Sequence, residues 1–254
     1  MEFKKVSIIL HTINRYHITK EYIGKALRTA GYPFELCLTD NGSNEIEIFE
    51  WIEQQKPKQY IRNGYNAGTA QSINKMIQLN PSDYYCFIGN DIDLPDNWLR
   101  AMVEHAEAIP NSGMVGINWR PVEYATETIN GKAICKTDRV FGDVLFSQQV
   151  IDKLGGACED YGVYGLWDSD FAIRCKIAGF INYYIAGMRS EHMANDYGEQ
   201  SEYRRMKDES LSRAKPIFEQ NVKKYEQTGE ICIKIAGNEQ EPHNDWVDFT
   251  QGTA

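Results

Sequence analysis

Short apolar runs alternate with amphipathic stretches from the start of the chain to about residue 118. The runs have strand length, and the amphipathic stretches repeat their apolar positions with helical spacing. The predicted strands are Val6–Leu10, Phe34–Thr39, Tyr60–Arg62, Tyr84–Ile88 and Gly113–Asn118, and the predicted helices are Ile18–Ala30, Ile46–Gln55, Ala70–Leu79 and Asn97–Ala108. This alternation is typical of an α/β fold with a parallel sheet and right-handed crossovers.

The rhythm changes after Trp119. Residues 120–145 are predicted to contain a hairpin, because Asn130-Gly131 forms a good two-residue turn between two strand-like runs. The remaining predicted elements are a strand at Val144–Ser147, a helix at Gln148–Leu154, a helix from about Leu166 to Ala178 that Gly179 ends, and a strand at Phe180–Ala186.

The C-terminal part of the chain has a different character. A long, charged, amphipathic pattern runs from Ser201 to Gln227, and Pro216 inside it predicts two helices or a kink. Ile231–Ile235 is a candidate edge strand before a loose tail. We therefore expect one main domain over residues 1–200, with a helical extension and tail over residues 201–254 packed on it.

The run Tyr84–Ile88 ends abruptly in polar and acidic residues. A strand that is apolar on both faces belongs in the middle of a covered sheet. Asn90, Asp91 and Asp93 then follow at its carboxyl end, where α/β sheets bind ligands. Two carboxylates one residue apart can reach Mg²⁺ or Mn²⁺. The alternative is a simple turn, with Asp96 capping the next helix.

Composition and charge exclude several classes of protein. The net charge of -9 argues against nucleic acid as a partner, because proteins that read its backbone carry clustered Lys and Arg. The six cysteines lie far apart without a Cys-x-x-Cys pair, which argues against a zinc site or a disulfide framework. We find no signal peptide or apolar stretch of membrane length, so a reducing cytoplasm is the expected compartment.

Five segments, taken in order, resemble one known family. They are VSIILHTINR at 6–15, FELCLTDNGSNE at 34–45, IRNGYNAGTAQSIN at 61–74, FIGNDIDLPDNWL at 87–99 and WDSDFAIRCKIAGF at 167–180. Together they resemble the nucleotide-sugar glycosyltransferases of the GT-A fold, specifically the inverting family 2 type and its rhamnosyltransferase-like branch. The resemblance covers about residues 5–195. It implies a Rossmann-like, mostly parallel sheet flanked by helices, with a small antiparallel hairpin and a C-terminal helical segment.

The resemblance also assigns contacts to a bound nucleotide. Asp40 is expected to accept a hydrogen bond from a ring N–H of the base, which uracil, thymine and guanine offer. The alternative for Asp40 is a turn residue at the start of Asp-Asn-Gly-Ser, and a helix cap is the compatible alternative for the loop before the third helix. The nucleotide contacts implied by the resemblance are Thr12, Asn14, Arg15, Asp40, Asn66, Gly68, Thr69 and Asn90.

The same resemblance implies a divalent cation, Mn²⁺ or Mg²⁺. Asp91 aligns with the carboxylate that usually contacts the cation, although Gly89 and Asn90 stand where acids often occur. Asp93 is a second candidate ligand, or it faces solvent or caps the turn. His192 follows the last strand, where related enzymes bring a third ligand or a diphosphate contact. The alternative for His192 is a structural role.

The catalytic base is expected in the last matching segment. Inversion at the anomeric carbon needs a base that takes the proton of the acceptor hydroxyl, and a carboxylate is the usual choice. Asp168 matches the family's aspartate, although Trp167 replaces the usual glutamate before it. Asp170 is the alternative base, or both acids only stabilise the helix start. Arg174 either orients Asp168 or faces solvent.

The resemblance thus predicts a metal-dependent inverting glycosyltransferase. Its expected partners are a nucleoside-diphosphate sugar donor and a hydroxyl acceptor, which is a glycan or a lipid-linked or protein-linked group. Any membrane association is expected to be peripheral and to come through the acceptor. Two alternatives remain open, namely a nucleotidyltransferase of similar architecture and a non-catalytic module that binds nucleotide or carbohydrate. The three tryptophans Trp98, Trp119 and Trp167 are candidates for sugar stacking or for core positions.

Overall fold

A computed structural model describes residues 3–118, 126–193, 202–235 and 245–247 of the chain. The strands are β1 (Val6–Thr12), β2 (Glu35–Asn41), β3 (Gln59–Asn63), β4 (Tyr84–Ile88), β5 (Ile92–Asp93), β6 (Ser112–Asn118), β7 (Glu127–Ile129), β8 (Lys132–Lys136), β9 (Val144–Ser147), β10 (Ile181–Arg189), β11 (Glu191–His192) and β12 (Asp245–Val247). The α-helices are α1 (Tyr16–Ile18), α2 (Gly24–Thr29), α3 (Ile46–Gln55), α4 (Thr69–Leu79), α5 (Trp98–Ala108), α6 (Gln148–Leu154), α7 (Trp167–Ile177) and α8 (Glu202–Thr228). A π-helical turn, Thr19–Ile23, joins α1 to α2.

Ten of these strands form one sheet in the order β12-β3-β2-β1-β4-β9-β6-β10-β8-β7. The strands β1, β2, β3, β4, β6 and β10 run in the same direction, so the predicted mostly parallel sheet is confirmed. The strand β9 lies between β4 and β6 and is antiparallel to both. Its existence was predictable from its apolar run, whereas its place in the middle of the sheet was not.

The hydrophobic core lies on both faces of this sheet. Successive side chains of β1 point to opposite faces, so Ile8 and Leu10 pack in the same cluster as Trp98. Ile9 belongs to the cluster on the other face, together with Phe171 of α7. Each large apolar side chain buried in this way contributes about 1.5–3 kcal/mol. The two-sided burial explains why the central strands are apolar without alternation.

The predicted hairpin is present as β7 and β8. The turn residues Asn130 and Gly131 both have positive φ, 48° and 78°, as a tight two-residue hairpin turn requires. The strand β8 pairs in turn with β10, which extends the sheet beyond its parallel strands. Trp119 and the first residues of the predicted hairpin segment lie outside the described residues.

Of the two alternatives predicted from Pro216, two helices or a kink, the first is wrong. α8 continues across Pro216 from Glu202 to Thr228 instead of dividing into two helices. Because proline has no backbone N–H, the carbonyl four residues earlier loses its hydrogen-bond donor within the helix. Here that residue is Ser212, and both Ser212 and Pro216 are exposed, so water can replace the lost hydrogen bond. Of the helices in the described ranges, none is long and apolar enough to cross a bilayer.

The predicted edge strand at Ile231–Ile235 is also wrong. This segment makes a single parallel bridge, between Gly155 and Ile233. The Ile233 amide donates to the carbonyl of Leu154 at 2.8 Å. A Cβ at Gly155, whose φ is +70°, would lie 1.8 Å from the Ile233 carbonyl oxygen, so only glycine permits this approach. The edge of the sheet is instead extended by β12, antiparallel to β3.

A buried ion pair joins α7 to the C-terminal part of the chain. Asp170 and Arg174 are both 0% exposed, and Arg174 Nε donates to Asp170 Oδ2 at 2.6 Å. The guanidinium also donates to the backbone carbonyls of Leu154, Gly156 and Ile231. The second oxygen of Asp170 accepts from the hydroxyl of Tyr161, and Asn221 of α8 donates to that same hydroxyl. The alternative that Arg174 faces solvent is therefore wrong.

Replacing Arg174 with alanine should lower the free energy of unfolding by about 3–5 kcal/mol, because it leaves the Asp170 charge buried without its partner. Urea denaturation followed by circular dichroism measures this change. Arg213→Ala is the matched control, since Arg213 forms an exposed ion pair with Glu209 on α8 and exposed pairs contribute about 0–1 kcal/mol. Equal stability of the two variants would contradict the role given to the buried pair.

Candidate active site

A cavity of about 540 Å³ opens at the carboxyl ends of β1 and β4. Its walls come from the ends of these two strands, from the loop before α7, from the start of α7 and from α8. In an α/β sheet this edge is the usual place for a ligand. Six of the residues predicted for the site line this cavity: Asn66, Thr69, Asn90, Asp91, Asp168 and His192.

Asp91 lies at the centre of a small charged cluster. Arg15 Nη1 donates to Asp91 Oδ2 at 3.0 Å, and His192 Nε2 lies 3.8 Å from Asp91 Oδ1. The two-stranded sheet formed by β5 and β11 positions the histidine, because it pairs His192 with Ile92. The structure therefore brings together three residues that are far apart in the sequence and were predicted for phosphate or metal binding.

One carboxylate and one imidazole at this separation form part of a donor set for a divalent cation. Such an ion completes its coordination with water and with phosphate oxygens of a substrate. Within the described ranges no group of three acidic, histidine or cysteine side chains is placed to hold a metal ion by itself. The residues present thus fit a cation that binds together with a phosphorylated substrate.

Asp93 does not line the cavity. Its carboxylate accepts a hydrogen bond from Lys25 of α2 and forms an ion pair with it. This contact raises the pKa of Lys25, which gains a charged partner. Asp91, and not Asp93, is thus the carboxylate of the loop that lines the cavity.

Thr12, Asn14 and Asp40 join the loop after β1 to the loop after β2. Asp40 is fully buried, and its two oxygens accept from the Thr12 hydroxyl, the Ser43 amide and the Ser43 hydroxyl. Burial raises the pKa of Asp40 in spite of these bonds. The Asn14 side-chain oxygen accepts from the backbone amide of Asn44. These side chains fix two loops at the sheet edge, and none of the three lines the cavity.

The start of α4 forms another side of the cavity. The Asn66 side chain accepts from the Gly68 amide at 3.1 Å and shapes the turn before the helix. A Cβ at Gly68, where φ is +86°, would meet Val163 Cα at 2.7 Å. Glycine at this position therefore lets the loop before α7 close against α4.

His11 is a cavity residue that sequence reasoning did not select. Its ring stacks on Phe87 with a centroid distance of 5.3 Å, and Phe87 packs edge-on against Trp167 at 5.2 Å. Burial lowers the pKa of His11 to about 4, so the imidazole is neutral at pH 7. His11 Nε2 lies 3.5 Å from the Thr69 hydroxyl. The available signal was its position at the end of an apolar strand.

Asp168 and Asp170 lie on opposite sides of α7, because two residues along an α-helix correspond to a rotation of about 200°. Asp168 faces the cavity, and its Oδ1 accepts from the Ser169 amide at 2.7 Å. Burial raises the pKa of Asp168 above its ordinary value, which suits a general base. Asp170 faces inward to Arg174. Of these two acids, only Asp168 is thus placed to contact a substrate in the cavity.

Asp143 is a second residue that the sequence did not indicate. It is 1% exposed, and its Oδ1 accepts from the Gly89 amide at 2.8 Å, directly before the acidic loop. Burial, with a smaller effect of the Asp91 charge, raises the pKa of Asp143 to about 7. Asp143 therefore anchors the residue at which β4 turns into the loop that carries Asp91.

Comparison with protein families identifies the chain. The sequence model described as "Glycosyl transferase family 2" matches residues 7–179, which is more than half of the sequence. The chain belongs to glycosyl transferase family 2. A comparison with curated proteins finds no match.

Solved structures support the fold of this family-2 glycosyltransferase. The mannosyltransferase PcManGT from Pyrobaculum calidifontis, determined in complex with GDP-Man and Mn²⁺, superposes with a TM-score of 0.61 at 16% identity, covering 91% of this chain and 72% of its own. GalNAc-T7 with UDP, GalNAc and Mn²⁺ gives a TM-score of 0.62 at 11% identity, covering 79% of this chain and 46% of its own. The predicted GT-A fold is confirmed.

Two of the tryptophans in this glycosyltransferase differ in environment. Trp98 is fully buried and donates its ring N–H to the Ala26 carbonyl, so it is a core residue. Trp167 lines the cavity next to Asp168 while only 7% of it is exposed.

Replacing His11 with phenylalanine should make the folding stability of the protein depend less on pH in the acidic range. The pKa of His11 is about 4 in the folded chain and 6.5 in the unfolded chain, so its contribution to stability is complete above pH 6.5 and is lost as the pH falls towards 4. Between pH 7.5 and pH 5 the free energy of unfolding of the wild type should fall by about 2 kcal/mol more than that of His11→Phe. Urea denaturation at both pH values measures this difference. Parallel losses in the two proteins would contradict the lowered pKa of His11.

Proposed function

We propose that this family-2 glycosyltransferase moves a sugar from a nucleoside diphosphate to a hydroxyl group of an acceptor, with inversion at the anomeric carbon. The observation that carries the proposal is that Asp91 and Asp168 line one cavity at the carboxyl edge of the sheet. In-line displacement needs stabilisation of the leaving diphosphate and a base on the opposite face of the sugar. Asp91 is the candidate for holding a cation next to the diphosphate, and Asp168 is the candidate for the base.

Asp168 is proposed as the general base. Its carboxylate takes the proton of the acceptor hydroxyl while the oxygen attacks the anomeric carbon and the bond to the diphosphate breaks. Its raised pKa strengthens it as a base, because a more basic carboxylate accepts the proton more readily. Trp167 and Phe87 form an apolar surface in the same cavity, which is suited to pack against the sugar.

Asp91 and His192 are proposed as the residues that would hold Mn²⁺ or Mg²⁺. The cation would supply Lewis-acid stabilisation of the negative charge on the leaving diphosphate. Arg15 lies on the same carboxylate and supplies a permanent positive charge there. Asn66, Thr69 and Asn90 face the same cavity and are proposed to bind the ribose and the phosphates. Recognition of a base by Asp40 would require the base to reach a carboxylate that is fully buried and already accepts three hydrogen bonds.

The direct experiment is a panel of UDP, GDP and dTDP sugars with Mn²⁺, in which release of free nucleoside diphosphate is measured. NMR of the product then gives the anomeric configuration, and inversion is the expected result. Binding of a nucleotide without release from any donor would contradict the proposal and favour a non-catalytic module. Release of pyrophosphate from a nucleoside triphosphate would instead favour a nucleotidyltransferase.

Asp168→Asn should lower kcat by about 10²–10⁴-fold, because it removes the proton acceptor but keeps the size and polarity of the side chain. The KM for the donor should change little. Initial-rate kinetics against donor concentration separate the two effects. Asp160→Asn, at an exposed position in the loop before α7, is the control. Similar rates for Asp168→Asn and the control would exclude Asp168 as the base.

Asp91→Asn should raise the Mn²⁺ concentration for half-maximal rate by at least about 10-fold, because even residues that only support a metal ligand change affinity by about 10–100-fold. Asp93→Asn is the matched control two residues away, and its Mn²⁺ requirement should stay near that of the wild type, since Asp93 binds Lys25. Rates measured over a Mn²⁺ titration test both variants. A larger increase in the required Mn²⁺ concentration for Asp93→Asn than for Asp91→Asn would assign the metal role to Asp93.

A further inference from the structure

The first half of α8 forms one wall of the cavity. Met206, Lys207 and Leu211 line it, together with residues from the ends of β1 and β4. These three residues lie beyond residues 7–179, the part of the chain that matches the family. This wall is thus a feature of this chain outside the segment that defines its family.

α8 is held firmly against the loop that leads into α7. The Ser210 hydroxyl accepts from the Tyr164 amide at 3.2 Å and donates to the Tyr164 carbonyl at 2.8 Å. A Cβ at Gly165, where φ is +126°, would lie 2.8 Å from Leu211 Cδ2. These contacts fix the position of this part of α8 relative to the loop that leads into α7.

Lys207 is the cationic member of this wall. Its Nζ lies 4.5 Å from the centroid of the Tyr164 ring, at the distance of a cation–π contact. Among the ion pairs of the described residues none involves Lys207, whereas Arg204 and Arg213 of the same helix pair with Asp208 and Glu209. Lys207 therefore lines the cavity without forming an ion pair to any carboxylate in the described part of the chain.

The Tyr164 ring is suited to hold this ammonium group and does not neutralise it. Burial, together with the charges of Asp168 and Asp91, raises the pKa of Tyr164 to about 12. The phenol is therefore uncharged at neutral pH. The apolar side chains of Met206 and Leu211 flank Lys207 along α8, and reduced access of water strengthens the attraction between Lys207 and an anion.

We propose that Lys207, positioned on the Tyr164 ring, binds a phosphate group of a substrate in this cavity. The proposal rests on the proposed function in one respect only, since the diphosphate of a sugar donor is one source of such a group. A phosphorylated acceptor is the other source. In both cases α8 takes part in substrate binding, because Lys207 supplies a positive charge in a cavity whose other charged side chains include the carboxylates of Asp91 and Asp168.

Lys207→Met tests this inference because it keeps the length and apolar stem of the side chain and removes the charge. Lys215→Met is the matched control, since Lys215 is exposed on the same helix and does not line the cavity. Calorimetric titration with UDP and GDP, in the presence of Mn²⁺, measures the binding. Loss of one charge-assisted contact in Lys207→Met should weaken the affinity for the nucleotide by about 10-fold. Lys207→Arg keeps the positive charge and should retain most of the wild-type affinity.

Three outcomes are distinguishable. Weaker binding of UDP or GDP by Lys207→Met, with uridine and guanosine as phosphate-free references, supports the inference with the donor diphosphate as source. Unchanged nucleotide binding but weaker binding of inorganic phosphate to the nucleotide-saturated protein supports it with a second, acceptor-side phosphate. Affinities equal to those of Lys215→Met in both titrations overturn it. These titrations need no turnover, so a failure of the proposed transfer reaction leaves their result interpretable.

Discussion

The ion pair between Asp170 and Arg174 connects more parts of this protein than any other polar contact described above. It lies without solvent exposure between α7, the turn after α6, the segment at Ile231 and, through Tyr161 and Asn221, the C-terminal helix. Separating a buried pair from its partners leaves a buried charge unpaired and is costly, so the pair favours the arrangement of these elements in which its hydrogen bonds are made. Because Asp168 lies two residues before Asp170, the same constraint orients the acid that faces the cavity.

The cavity itself is an acidic site with a few placed cations. Asp91 and Asp168 face it, and Asp143 lies behind the strand end with a pKa raised by burial. Arg15 forms an ion pair with Asp91, and Lys207 lines the part of the cavity formed by α8. In a chain of net charge -9, a nucleoside diphosphate can approach this edge only where such local positive charge, or a metal ion, offsets the acids.

Local patterns predicted the fold well where one element depends on its own residues. The strands from β1 to β4 have apolar runs, and the hairpin at Asn130-Gly131 has a turn that few other residue pairs allow. The predictions failed where the outcome depends on distant neighbours. Pro216 is accommodated because its side of α8 is exposed, and Ile231–Ile235 is held by Arg174 and Gly155 instead of joining the sheet.

The sequence by itself determined the α/β class, the family resemblance and the set of acids from which the site is built, because these follow from periodicity and motif order. Only the tertiary structure decided which acid of each pair faces the cavity. Asp91 and Asp168 do so, whereas Asp93 and Asp170 bind Lys25 and Arg174. It also added His11, Asp143 and Lys207. Their roles come from burial and from contacts between segments far apart in the chain, which no local pattern encodes.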